Sequence, residues 1–185
     1  AFAPPRVDFL LPHGNWSTPP RGLVDGTTPY GDWLSVAFDR WFHVKQQETV
    51  VRLFQDTVLL LLGGTATTTH LGLAPIGFVV VNTVGSFEQD DSLRTTRPGG
   101  STTGLNVFHY TLDAVVAHPT VRARQSYEET LADECRECAL MSVCGGGNYT
   151  HRYRAGTEFR NPSVYCADLQ RYIWHVNAAI RSQVN

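Results

Sequence analysis

An α+β fold follows from three features of the sequence. Apolar residues recur at helical spacing in three places: Leu34, Phe38, Trp41 and Phe42; Leu53, Phe54, Val58, Leu61 and Leu62; and Cys166, Leu169, Ile173, Val176 and Ile180. Residues 77–90 instead run Gly-Phe-Val-Val-Val-Asn, then Thr-Val-Gly-Ser, then Phe-Glu-Gln-Asp, which is two β-rich arms joined by a turn. All 4 cysteines fall between positions 135 and 166. The expected architecture is a β-hairpin plus helices gathered around a four-cysteine site.

Taken in order, residues 6–11 (Arg-Val-Asp-Phe-Leu-Leu) predict a short strand with no local partner. Pro12-His13-Gly14-Asn15-Trp16 reads as the loop at its end, an ordered turn with exposed polar residues. Residues 18–30, rich in Pro, Gly and Thr, form a loop, and Gly31-Asp32 starts the first helix. Asp39 and Arg40 on that helix read as a solvated pair. Residues 50–62 predict a second helix stopped by Gly63-Gly64. The polar run 65–69 is the expected boundary between a first unit, 1–69, and a second, 70–185. After the hairpin, Asp90 and Asp91 offer two carboxylates to a cation or a substrate amine, or simply to water. Residues 94–103, containing Pro98-Gly99-Gly100, predict a flexible loop, while 112–117 and 121–132 predict two short helices leading into the cysteines. Asn161-Pro162-Ser163 is placed to cap the last helix.

The 185 residues include 42% hydrophobic ones, enough for a substantial core, and carry 15 basic against 17 acidic side chains. Without a basic excess or a polybasic run, nucleic-acid and membrane-surface partners are not expected. The longest apolar run, 58–62, is far short of a membrane span. No secretory leader pattern opens the chain, so a cytoplasmic, reducing compartment is expected, which suits free thiols.

Two residues separate Cys135 from Cys138, five separate Cys138 from Cys144, and 21 separate Cys144 from Cys166. Three thiols therefore come from one loop and the fourth from a later element, near a helix N-terminus where the dipole favours thiolate. This is the layout of a four-thiolate metal site, competing with two disulfides or with inert buried thiols. Spacing alone suits both tetrahedral Zn2+ and an iron-sulfur cluster. Gly145-Gly146-Gly147 leaves room for backbone N–H donors beside the thiols. Tyr149, His151, Arg152, Tyr153 and Arg154 form a basic and aromatic cluster that would offset thiolate charge, with His151 the one other side chain able to bind a metal directly.

The stretch resembles the SPASM domain, the auxiliary-cluster domain of radical S-adenosylmethionine (SAM) enzymes that modify peptides. The family pattern, C-x2-C-x5-C-x3-C with seventeen residues before a last C, falls on Cys135, Cys138, Cys144, Asn148 and Cys166. The preceding family element, G-x4-C, falls on Gly85 and Asp90. The resemblance implies that Cys135, Cys138, Cys144 and Cys166 hold one [4Fe-4S] cluster, the family's second auxiliary cluster. It also implies that the first is lost, because Asn148 and Asp90 stand where two of its ligands would be. Residues 144–153, 161–169 and 8–16 are similar to the FxsB-like branch, maturases of ribosomal peptides. That likeness implies a peptide substrate, with Tyr149, Arg152, His151, His13 and Trp16 near the cluster or the peptide. It further implies that residues 1–69 are the end of a partial (β/α) barrel. No cysteine precedes Cys135, so the three-cysteine SAM-cleaving motif is not in the chain. SAM would act through a barrel elsewhere in the same full-length protein or in a separate chain. A zinc-stabilised binding domain with no redox role is the competing expectation.

Overall fold

The computed structural model describes residues 4–24, 26–46 and 48–184, with the side chains of 127, 128 and 184 outside the description. The first three residues of the expected 1–69 unit therefore lie outside it. The strand β1 (Arg6–Val7) is followed by helix α1 (Pro29–Phe42) and strand β2 (Val50–Val51), which pairs with β1 in parallel, Arg6 with Val50 and Val7 with Val51. The first strand thus has a partner within the chain, 44 residues away, that its local sequence pattern did not show. Val50 and Val51 continue the apolar period of the next helix, yet as β-branched residues they sit well in extended backbone. Helix α2 (Arg52–Leu61) begins immediately after them. Asp8 makes that junction: its Oδ1 accepts from Leu53 N–H at 3.1 Å, and its Oδ2 lies 3.1 Å from Arg52 Nη2.

Both helices pack on the C-terminal helix, α8 (Cys166–Val184). Phe38, Phe54 and Tyr172, none exposed at all, meet at the centre with ring separations of 5.5, 6.0 and 6.4 Å. Burying each ring contributes about 1.5–3 kcal/mol. Leu71, Leu140, Val143, Val164 and Leu169 extend the same core, so it runs across position 70. The polar stretch before it is tied down: Asp56, fully buried, accepts from the backbone N–H and the hydroxyl of both Thr67 and Thr68, at 2.7 to 2.9 Å.

The second region opens with an antiparallel hairpin, β3 (Val80–Val81) and β4 (Ser86–Glu88), whose turn is organised by Asn82 Oδ1 accepting from Val84 and Ser86 N–H at 3.1 and 2.9 Å. A third strand, β5 (Thr102–Asn106), pairs antiparallel with β4. This corrects the expectation of a flexible loop over 94–103. A 3-10 turn over Asp91–Thr95 carries the chain back to the sheet, and Thr102 and Thr103 pair despite the neighbouring glycines. Phe87, Val115 and Val121 form a small core beneath this sheet.

Three short helices follow: α3 (Leu112–Val116), α4 (Pro119–Gln125) and α5 (Tyr127–Thr130). The single helix expected over 121–132 is broken at Ser126, whose backbone leaves the helical region at φ −102° and ψ 64°. Helices α6 (Asp133–Arg136) and α7 (Met141–Cys144) and a 3-10 turn over Tyr149–Arg152 then lead to α8. Among the described residues, no helix is long and apolar enough to cross a membrane.

Candidate metal centre

Cys135 lies on α6, Cys138 in the turn after it, Cys144 at the end of α7 and Cys166 at the first position of α8. All four are free thiols, so the disulfide reading is not realised. They line a single cavity of about 90 Å³, together with Leu140, Met141 and Gly146. Their electrostatics show the same gathering. Burial pushes Cys144 up to about 12, and the neighbouring Cys166, Cys135 and Cys138 sulfurs add to the shift. Cys135 is raised by burial and then by Cys166, and Cys166 by burial and then by Cys138. Thiols whose charges destabilise one another would gain from a bound cation, which converts that repulsion into attraction. Among the described residues, no group of three His, Cys, Asp or Glu side chains is arranged to hold a single metal ion. The thiols surround a space instead of converging on a point.

The glycine run contributes as the sequence suggests. Gly145 ends α7 in the left-handed region, φ +60°, and a Cβ there would stand 1.9 Å from Gly72 O. Gly146 N–H is directed at Cys144 sulfur and favours its thiolate. Leu140 N–H approaches Cys138 Sγ at 3.4 Å, and Gln170 Nε2 approaches Cys166 Sγ at 3.6 Å.

Arg152 is completely buried and fixed by the Phe159 and Thr130 carbonyls, to which Nε and Nη2 donate at 3.1 and 2.5 Å. Its charge lowers the Cys135 thiol, opposing the larger effect of burial. Its guanidinium also lies 5.1 Å from the centre of the Tyr149 ring, which stacks on Phe159 at 4.1 Å. Arg152 is therefore within electrostatic reach of Cys135, whereas Tyr149 lines a separate groove. His151 faces the other way, into a small pocket it shares with His13, His70 and Asn148. Burial, then His13 and His70, lower His151 to about 3, so it is neutral, and its Nε2 is buried without a hydrogen bond.

The remaining candidates are placed by ordinary local bonds. Asn148 caps the 3-10 turn, accepting from Thr150 N–H and Oγ1 at 3.0 and 2.8 Å, while its amide reaches His70 Nδ1 at 3.5 Å. Asp90 caps the Asp91–Thr95 turn through Ser92 N–H at 2.9 Å, and Asp91 is exposed. Trp16 donates its indole N–H to Pro162 O at 2.8 Å, bracing the segment just before Cys166. Asn15 is wholly buried, accepting from Ser17 and Thr18 N–H at 2.9 Å. His70, which lines the His151 pocket and lies 3.8 Å from Asp8 Oδ2, had no signal in the sequence, and Asp8 was marked only as the start of the 8–16 stretch. His70 merely follows a threonine run.

The mixed helix-and-sheet fold is similar to that of a radical SAM/SPASM enzyme of known structure over 83% of this chain. The particular likeness is to anSMEcpe, an anaerobic sulfatase-maturating enzyme. Its native form with bound AdoMet and the Kp18Cys peptide superposes with a TM-score of 0.67 at 16% identity, over 83% of this chain and 42% of that one. The form with AdoMet alone gives 0.68 at 17%, over 83% and 41%. The form with AdoMet and the Cp18Cys peptide gives 0.67 at 16%, over 90% and 47%. The likeness is one of fold, and the chain spans less than half the length of those proteins. No protein-family model and no curated protein matches it.

Proposed function

We propose that the chain is an auxiliary-cluster and substrate-binding region of an FxsB-like radical SAM enzyme that modifies a ribosomally made peptide. The carrying observation is the cavity lined by Cys135, Cys138, Cys144 and Cys166 within a fold shared with a radical SAM/SPASM enzyme. The donor set fits one [4Fe-4S] cluster. Four soft thiolates supply one ligand per iron, the cavity has volume to fill, and buried Arg152 offsets part of the negative charge. When bound, such a cluster supplies a one-electron relay. The protein's own part is to hold four thiols in fixed relation, to donate Gly146 N–H toward Cys144, and to keep water away with Leu140, Met141 and Pro162. Peptide binding is supported by the neighbouring structures, which contain peptides. On this reading residues 1–69 end a partial barrel, 70–185 form the cluster domain, and SAM is bound by a barrel outside this chain.

A Zn2+ site with no redox role is the competing reading, because four thiolates also suit that ion. Anaerobic reconstitution separates the two. The cluster reading expects about four irons and four sulfides per chain and a broad visible absorbance. One zinc per chain without sulfide under the same conditions would overturn it.

A further inference from the structure

A groove of about 460 Å³ is lined by Gln89 just after β4, by Pro119, Thr120 and Ala123 of α4 and by residues 157–160. Three independent features mark it. Gln89 is 6% exposed and stands in its wall; its Nε2 donates to Thr120 Oγ1 at 3.0 Å, but its Oε1 is buried with no hydrogen-bond partner. Such an orphaned acceptor costs stability unless something fills it. Glu158, which also lines the groove, has φ +53° and is the only non-glycine residue in the left-handed region among those described. Strained backbone of this kind persists where the surrounding structure holds it in place, often at binding sites. The Glu158 carboxylate also meets Arg97 in an ion pair that joins segments 61 residues apart across the rim. Both partners are about half exposed, so the pair is weak and opens at little cost.

We infer that this groove binds a segment of polypeptide, with one amide N–H donating to Gln89 Oε1 and an apolar side chain resting on Phe159. The charges select for this class. Arg97 and Arg160 balance Glu129 and Glu158, so the walls attract neither polyanions nor polycations. What they offer is an uncharged acceptor, a stacked aromatic pair and Leu93, the complement of a neutral peptide unit. The site is separate from the cysteine cavity, with which it shares no lining residue. It deepens the peptide-maturase reading, on which it rests for the choice of peptide over a small amide.

The test uses the full chain with iron content measured in the same sample. The capped tripeptide N-acetyl-Gly-Phe-Gly-amide is titrated to millimolar concentration while the Gln89 side-chain amide resonances are followed. The same tripeptide with N-methylated amides, which cannot donate, is the control. The expected result is a saturable shift at Gln89, about tenfold weaker for the N-methylated peptide, the size of one hydrogen bond. Gln89→Met should weaken the first peptide by a similar factor with melting unchanged within about 2 °C, while Gln89→Glu retains an acceptor and binding. No shift at Gln89, equal affinity for both peptides, or full affinity in Gln89→Met would each overturn the inference. If Gln89→Met does not fold, the pair of peptides on the unaltered chain decides alone. A chain that takes up no cluster yet discriminates between the peptides refutes the cofactor assignment and leaves the groove standing; the converse result refutes only the groove.

Discussion

The carboxylate of Asp168, two residues after Cys166, accepts from the backbone N–H groups of Tyr30 and Gly31, each at 2.9 Å. Thr28, at the N-cap of α1, makes no side-chain capping bond, so α8 caps α1 from across the core. Asp168 is 1% exposed and also meets the positive end of the α1 dipole. Asp168→Ala strands two buried donors and should lower stability by about 1–3 kcal/mol, read as a drop in melting temperature. Gly31→Ala should be at least as damaging, because its Cβ would stand 2.4 Å from Asp168 O. Unchanged melting in both variants would show that the cap is not needed.

Loss of any of the four thiols should abolish stoichiometric cluster binding and loosen the fold, because Cys166 anchors α8 to the loop that carries the other three. Full iron content and unchanged melting in Cys166→Ala would refute the assignment. Loading should also improve as pH rises from about 7 to about 9, since burial holds Cys144 and its neighbours protonated and each must lose its proton to bind iron. Reconstitution yield against pH measures this directly.

His151 gives the folded protein an acid limit. Burial lowers it from an ordinary 6.5 to about 3, so the unfolded chain takes up a proton that the folded chain refuses. Its contribution is complete above about pH 6.5 and is lost progressively as pH falls toward about 3. His70, lowered chiefly by burial, adds in the same direction. Denaturant unfolding at about pH 7.5 and about pH 4.5 should show a larger loss for the natural protein than for His151→Phe at equal iron content. Identical losses would remove His151 from the account.

The chain incubated with SAM and reductant should form no 5′-deoxyadenosine. Cleavage needs an iron open to SAM, and all four cysteines of the sequence line one cavity. Turnover-level product from the chain alone would overturn the assignment of all four thiols to one cluster.

Phe54 has no exposed surface and touches Phe9, Phe38, Trp41 and Tyr172 at ring separations of 5.4 to 6.0 Å. Phe54→Ala should cost about 3–5 kcal/mol, and Phe54→Leu clearly less, measured by chemical unfolding.

What the sequence disclosed followed from how local each signal was. The stripes Leu34/Phe38 and Leu169/Ile173/Val176 and the β-branched arms of the hairpin are short-range patterns, and they placed α1, α8 and the β3–β4 pair within a few residues. Cysteine spacing is equally local, and it marked the four residues that line one cavity. The missed features are long-range. Pairing of β1 with Val50–Val51 joins residues 44 apart in sequence. The Asp168 cap spans 137 and 138 residues. Thr67 and Thr68 look like linker until buried Asp56 is seen to need four donors. Gln89 carried no signal at all, because an orphaned acceptor is defined only by what fails to surround it.

The contact between Gly145 and Gly72 ties the cysteine-bearing turn to a distant stretch of chain. The residue that ends the cysteine-bearing turn fits only because it lacks a Cβ, and it presses on a carbonyl 73 positions earlier, while Gly72 N–H in turn donates to Val143 O at 2.9 Å. The turn that carries the thiols is thus moulded against the residues that follow Thr67 and Thr68, the pair held by Asp56. Any side chain at position 145 would therefore displace two distant segments at once, the thiol-bearing turn and the stretch that follows Thr68.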